Sequence, residues 1–125
     1  MMRQLLAVAA GGALGAVLRW LAASGIQRWA GGTFPWGTFA VNALGSLMLG
    51  FLFVWLIERS SASEVLRLAI TVGFLGAFTT FSTYSLESVR LLQEGALGMA
   101  LANVFGQVVV CLMLTWVGVQ LARVL

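Results

Sequence analysis

Four apolar stretches occupy nearly the whole chain, separated by short links where charges and turn residues collect. The first runs from about Leu5 to Ala23 and the second from about Trp36 to Ile57. The third covers about Val65 to Leu92 and the fourth about Leu97 to Ala122. Crossing a hydrocarbon core takes roughly 20 apolar residues per helix, so the pattern predicts an all-α integral membrane protein of four spans. The short links predict that consecutive spans are antiparallel neighbours. One link, Ser24 to Pro35, is rich in Gly and Trp, and Trp20, Trp29 and Trp36 gather around it as indoles do at the headgroup level. Gly11 and Gly15 form a GxxxG pair, a spacing that lets helix backbones approach closely in lipid.

Composition fixes the solvent. Hydrophobic residues make up 61% of the 125 and charged residues only 9%, against roughly 25% charged in a soluble domain. Such a chain cannot wet a surface, and it is expected to be one membrane domain over residues 1–125. All seven cations are Arg, set against four Glu, with no Lys, Asp or His. The Arg are scattered singly, which reads as helix-end anchoring in a cell membrane rather than nucleic-acid binding. Without His or Asp, the single Cys111 is not part of a transition-metal site. Nor is there a Lys for a phosphate loop, or any catalytic constellation, so the chain is not expected to be an enzyme. Met1 to Gly25 mimics a secretory signal, but Arg19 interrupts the pattern and the first helix is expected to be retained.

Orientation is nearly unbiased. Arg3, Arg59, Arg67 and Arg123 fall on one side, and Arg19, Arg28 and Arg90 on the other. The positive-inside rule gives such a chain no instruction, so it can insert either way up. A thin four-span chain does not enclose a pore comfortably by itself. An antiparallel, dual-topology homodimer follows as the expectation.

The third span is the chemically informative one. Gly73-Phe74-Leu75-Gly76-Ala77-Phe78-Thr79-Thr80-Phe81-Ser82-Thr83-Tyr84-Ser85 sets five Ser or Thr beside two Gly where lipid favours apolar side chains. Gly and β-branched Thr weaken a helix, and backbone freed by a break must find partners inside protein or along a water-lined cavity. A broken third helix is therefore expected, of the kind that binds ions in transport proteins. Phe78, Phe81 and Tyr84 recur every three residues and are expected to share a helix face. Their ring edges would attract an anion and their faces a cation; spacing does not choose between these, and taken alone it favours core packing. In the second span Asn42 can donate its amide to an anion or, equally, bond to a neighbouring helix, and Asn103, Gln107 and Thr115 add polar groups to the fourth. Glu87 and Arg90, one turn apart, could form a local pair or stand at a pore mouth, and the local pair is the favoured reading.

At these residues the chain resembles the Fluc (CrcB) family of fluoride channels. The likeness lies in Gly12 to Trp20, in Pro35-Trp36-Gly37-Thr38-Phe39-Ala40-Val41-Asn42, and above all in Gly73 to Glu87. The resemblance implies an antiparallel dual-topology dimer with two fluoride pathways, and a structural Na+ at its centre held by backbone carbonyls matching Gly76 and Thr79. It implies a pathway through Asn42, the ring pair Phe81 and Tyr84, the hydroxyls of Ser82 and Thr83, and Thr115. Arg19 matches a family Arg near the end of span one. Tyr84 stands where the family usually has Phe, and Cys111 where relatives often have Ser.

The expected function is passive, fluoride-selective export down its gradient, protecting against fluoride toxicity. A selective path must replace the ion's water with donors, and these residues supply them. A small multidrug-resistance-type proton-coupled exporter shares the size and topology, but it needs a membrane-embedded carboxylate, and Glu87 is the only one deep in a span. A structural subunit of a larger complex would leave the hydroxyl cluster without a purpose.

Overall fold

The computed structural model describes all residues from 1 to 125. Helix α1 covers Met2–Ala30. Helix α2 covers Trp36–Phe53 and runs on through a π-helical turn over Val54–Glu58. The third span is composite. Helix α3 (Glu64–Leu68) continues through a π-helical stretch over Ala69–Leu75 into the short α4 (Gly76–Phe78). Two extended residues follow, and α5 (Phe81–Gln93) resumes the crossing. Helix α6 covers Leu97–Val124. All four crossings are long and apolar enough to span a membrane, and only 20 of the 125 residues are buried. The rest of the apolar surface is suited to lipid and to further protein.

One boundary differs from expectation. Helix α1 runs past Ala23 to Ala30, so the link between the first two spans shrinks to a few residues. Ser24 to Ala30 contains no Pro, and its one Gly, Gly25, is carried within the helix at a positional cost; the stop is set by Gly31 and Gly32, whose φ angles of 69° and 73° fall where L side chains are strained. The Gln27 side chain then fastens the turn. Its Nε2 donates to the Phe34 carbonyl at 3.0 Å, and its Oε1 accepts from the Gly37 amide at 3.1 Å, within the first turn of α2.

Consecutive spans are antiparallel, but they are not the tightest neighbours. The closest packing joins α1 to the third span and α2 to α6. Small residues explain the choice. A Cβ on Gly11 would lie 2.2 Å from the Ala69 carbonyl oxygen, and one on Gly15 would lie 2.2 Å from that of Phe74. Gly50 and Gly118 do the same between α2 and α6, against Thr115 and Leu47. Without a hydrophobic force between helices in lipid, backbone-to-backbone contact of this kind selects partners. The ends agree with the alternating direction. Arg123 reaches Glu58 at 3.5 Å, and the Arg59 guanidinium donates to the Ala122 carbonyl.

The close contact predicts that Gly15→Leu will disrupt the bundle, costing at least the 1–3 kcal/mol or so of an overpacked core. Gly25→Ala, where a Cβ meets nothing within 4 Å, is expected to unfold no earlier than the parent. Thermal unfolding of both variants in detergent checks the pair.

Candidate functional site

The third span breaks at Thr79 and Thr80, which leave the helix for extended conformations (φ −93°, ψ 158° and φ −150°, ψ 115°). A break in hydrocarbon exposes peptide groups that cost several kcal/mol each if left unpaired. Asn42 of α2 meets that cost. Its Oδ1 accepts the Thr80 amide at 2.8 Å and its Nδ2 donates to the Thr80 carbonyl at 3.0 Å. One side chain thus replaces both helical bonds of one peptide residue. Since the Thr80 amide only donates and the carbonyl only accepts, the Asn42 carboxamide can face one way alone. The Thr80 amide is also the donor that an unbroken helix would give to the Gly76 carbonyl, so that carbonyl loses its helical partner.

Neighbouring residues shape the break. Gly45, one turn beyond Asn42, has no side chain to meet the Thr79 methyl group; a Cβ there would lie 2.3 Å from it. The Thr79 hydroxyl bonds back to the Leu75 carbonyl at 3.0 Å. The Thr80 hydroxyl accepts the Thr83 amide at 3.2 Å, capping the new helix α5. It also donates to the Thr83 hydroxyl at 3.0 Å, leaving that group its own hydrogen.

A chain of side-chain hydrogen bonds runs inward from Asn42. The second Nδ2 hydrogen of Asn42 goes to Gln107 Oε1 at 2.8 Å, and Gln107 Nε2 donates to Asn103 Oδ1 at 2.8 Å. Asn103 Nδ2 donates to the Ser88 hydroxyl at 2.9 Å, which donates to the Tyr84 carbonyl at 2.8 Å. Asn103, Gln107 and Ser88 are all buried. Their i, i+4 spacing on α6 was visible in the sequence for Asn103 and Gln107; the connection to Ser88 and Asn42 was not, because it crosses three spans.

Two cavities flank the break. One, of about 360 Å³, is lined by Asn42, Phe81, Tyr84, Gln107 and Thr115 together with Thr79 and Thr80. The other, of about 500 Å³, opens between α1, α2 and α5 and is lined by Arg19, Arg28, Thr38, Thr83 and Glu87. Thr80 lines both. Of the residues singled out by sequence, Asn42, Phe81, Tyr84 and Thr115 come together in the first cavity and Thr83 and Arg19 in the second. Ser82 is exposed and lines neither, although its hydroxyl lies 3.5 Å from that of Thr80. The Thr115 hydroxyl bonds back to the Cys111 carbonyl at 2.9 Å.

The three aromatic residues do not share one face. The break falls between Phe78 and Phe81, so Phe78 is buried on α4 while Phe81 is 77% exposed. Phe81 and Tyr84 remain paired, with ring centroids 5.3 Å apart and tilted by 43°. The Tyr84 hydroxyl donates to the Val104 carbonyl at 2.7 Å and ties α5 to α6. Glu87 also departs from expectation. Its Oε1 accepts from the Thr38 hydroxyl at 2.7 Å, and it makes no salt bridge with Arg90. The break turns Glu87 toward α2, where Thr38 lies one turn before Asn42. Its other oxygen, Oε2, is buried with no partner.

The comparisons with known proteins bear on this arrangement. A family profile described as "CrcB-like protein, Camphor Resistance (CrcB)" matches residues 6–119. A protein of Geobacter sulfurreducens named fluoride-specific ion channel FluC is 45% identical over 122 residues, covering 98% of both chains. One of the same name from Hahella chejuensis is 48% identical over 118 residues, covering 94% of this chain and 93% of that protein. Another from Methylococcus capsulatus is 49% identical over 119 residues, of which this chain spans only 52% of the length. With the profile matched from the first span to the fourth and all four helices long and apolar enough to cross, the chain is a multi-pass membrane protein that belongs to the CrcB family.

Proposed function

We propose that this chain is a passive, fluoride-selective ion channel of the cell membrane, working as an antiparallel homodimer. The observation that carries the reading is the break at Thr79–Thr80, which sets polar groups on both of its sides into cavities within a family whose relatives bear the fluoride-channel name. Fluoride is small and holds its water strongly, so a path must offer replacement donors. Asn42 supplies an amide, and Thr83 and Thr115 supply hydroxyls; Phe81 and Tyr84 supply ring edges, which carry partial positive charge. Thr83 keeps an uncommitted hydroxyl hydrogen, and Thr115 gains one by turning away from its own helix. No energy source is required. In acidic surroundings fluoride is protonated, crosses the membrane as neutral HF and dissociates in the less acidic interior, so outward leakage of the anion is protective.

The dimer and a central Na+ belong to the same proposal. An almost even distribution of Arg over the two sides supports insertion in both directions. For the cation, the donor set fits. Gly76 is exposed and its carbonyl has lost its helical amide to Asn42, while Thr79 is extended and its carbonyl leaves the helix path. Unwound backbone carbonyls of this kind coordinate Na+ in transporters. Gly76 and Thr79 from two protomers would hold the ion, and the ion would hold the two broken helices together.

Fluoride efflux from liposomes containing the purified chain is expected to exceed that from empty liposomes by a wide margin, with chloride efflux remaining at background. Phe81→Ala is expected to lower fluoride efflux at least about tenfold, the worth of one modest interaction lost along the path. Crosslinking should show the dimer intact, since the exposed ring carries little packing within the protomer. A folded dimer with no fluoride flux would falsify the function. A separate outcome concerns Tyr84, where the hydroxyl rather than the ring departs from the family. Tyr84→Phe removes the bond to Val104 and is expected to cost about 1 kcal/mol of stability, read as a lower melting temperature in detergent.

A further inference from the structure

We infer that Gln107 is a second anion donor on the path, and that its carboxamide turns over when fluoride binds, carried by a reversible hydrogen-bond relay through Asn103 to Ser88. The inference rests on the fluoride reading above and goes beyond it in naming a residue and a motion.

The geometry sets the problem. Asn42 and Gln107 both line the cavity beside the break, yet the Asn42 hydrogen not held by Thr80 is spent on Gln107 Oε1. An anion approaching Asn42 therefore meets a carboxamide oxygen, which repels it. The Asn42 side chain does not move out of the way, because Thr80 holds it through two bonds of opposite direction. Gln107 has to yield. It does not turn alone, since that would bring its Oε1 against Asn103 Oδ1, two acceptors now bridged by a hydrogen at 2.8 Å.

The chain can turn as a unit because it ends on a hydroxyl. Ser88 now accepts from Asn103 and donates to the Tyr84 carbonyl. Reversed, Ser88 donates to Asn103 Oδ1, Asn103 Nδ2 donates to Gln107 Oε1, and Gln107 Nε2 points into the cavity beside Asn42 Nδ2. The Tyr84 carbonyl lies within α5 and keeps the amide partner that the helix gives it. Four bonds are present before. Four are present after, two of them to the anion. Without an anion the reversed state would set two amide donors against each other, so the relay turns only as the ion arrives. A small, hard anion that accepts both short bonds is favoured over a larger one, which adds a contribution to selectivity.

The test combines transport and spectroscopy on the full-length dimer in one preparation. Gln107→Met keeps the length of the side chain and removes both amide groups. It is expected to lower fluoride efflux from liposomes about tenfold to hundredfold, the worth of one hydrogen bond to a charged group. Faster or unchanged efflux would show that Gln107 is only a plug or a bystander, and would overturn the inference while leaving the channel standing. In the wild-type protein, the assigned Gln107 Nε2 and Asn103 Nδ2 proton resonances are expected to shift together on adding fluoride and to stay put on adding chloride. A purely structural Gln107 would not show this, and fluoride-invariant resonances overturn the relay even where Gln107→Met fails to assemble. Absence of fluoride efflux from the wild type would remove the function itself.

Discussion

A peptide group drawn out of its helix inside a bilayer has no water to turn to, and the whole centre of this molecule is arranged around that fact. Thr80 gives up its helical partners, and a single carboxamide from another span takes both of its bonds. Several other features follow from that pairing. Asn42 is locked in one orientation, the Gly76 carbonyl is left without its amide, and α5 starts afresh under the Thr80 hydroxyl cap. The two cavities lie on either side of the same residue. A break that would be destabilising on its own thus becomes the element that gives the span a polar face.

The pairing requires that α2 sit close against the third span, at 2.8 and 3.0 Å between Asn42 and Thr80, and small residues provide the approach. Gly45 admits the Thr79 methyl, while Gly11 and Gly15 let α1 lie on the backbone of the third span. The π-helical stretch at Ala69–Leu75 faces those two glycines. On the far side Gly50 and Gly118 bring α2 and α6 into contact, and this places Gln107 within reach of Asn42. Packing in lipid is decided by such close fits rather than by apolar burial, so the polar network and the glycine contacts depend on one another.

The chemistry that results is one of committed donors. Both amide hydrogens of Asn42 are committed, one to Thr80 and one to Gln107, and Gln107 and Asn103 each commit one to the next side chain in the relay. An environment of this kind does not attract anions merely by being positive; it trades an internal acceptor for an external one. Arg19 and Arg28 line the cavity between α1, α2 and α5; in the proposed channel they would supply long-range attraction, while the carboxamides of the relay would supply the exchange. Separating attraction from exchange suits a path for a strongly hydrated ion, which must be drawn in and then stripped.

Several features were legible in the residues alone: the solvent, the four crossings, the weakness of the third span and the polar groups on the second and fourth. These depend on local properties. Twenty-odd apolar residues in a row, a Gly beside Thr, or an amide in a hydrocarbon stretch carry their meaning wherever the chain folds. The family resemblance grouped Asn42 with Phe81 and Tyr84, and the fold sets all three around one cavity. The partners were not legible. No periodicity announces that Asn42 will hold Thr80, that Glu87 will choose Thr38 over Arg90, or that the Tyr84 hydroxyl will find Val104. The expectation that Phe78, Phe81 and Tyr84 share a face failed because it assumed an unbroken helix through Thr79 and Thr80. Hydrophobic pattern determined that there are four helices in lipid; which helix touches which, and which polar group satisfies which, depended on close fits between distant glycines that only the tertiary structure brings together.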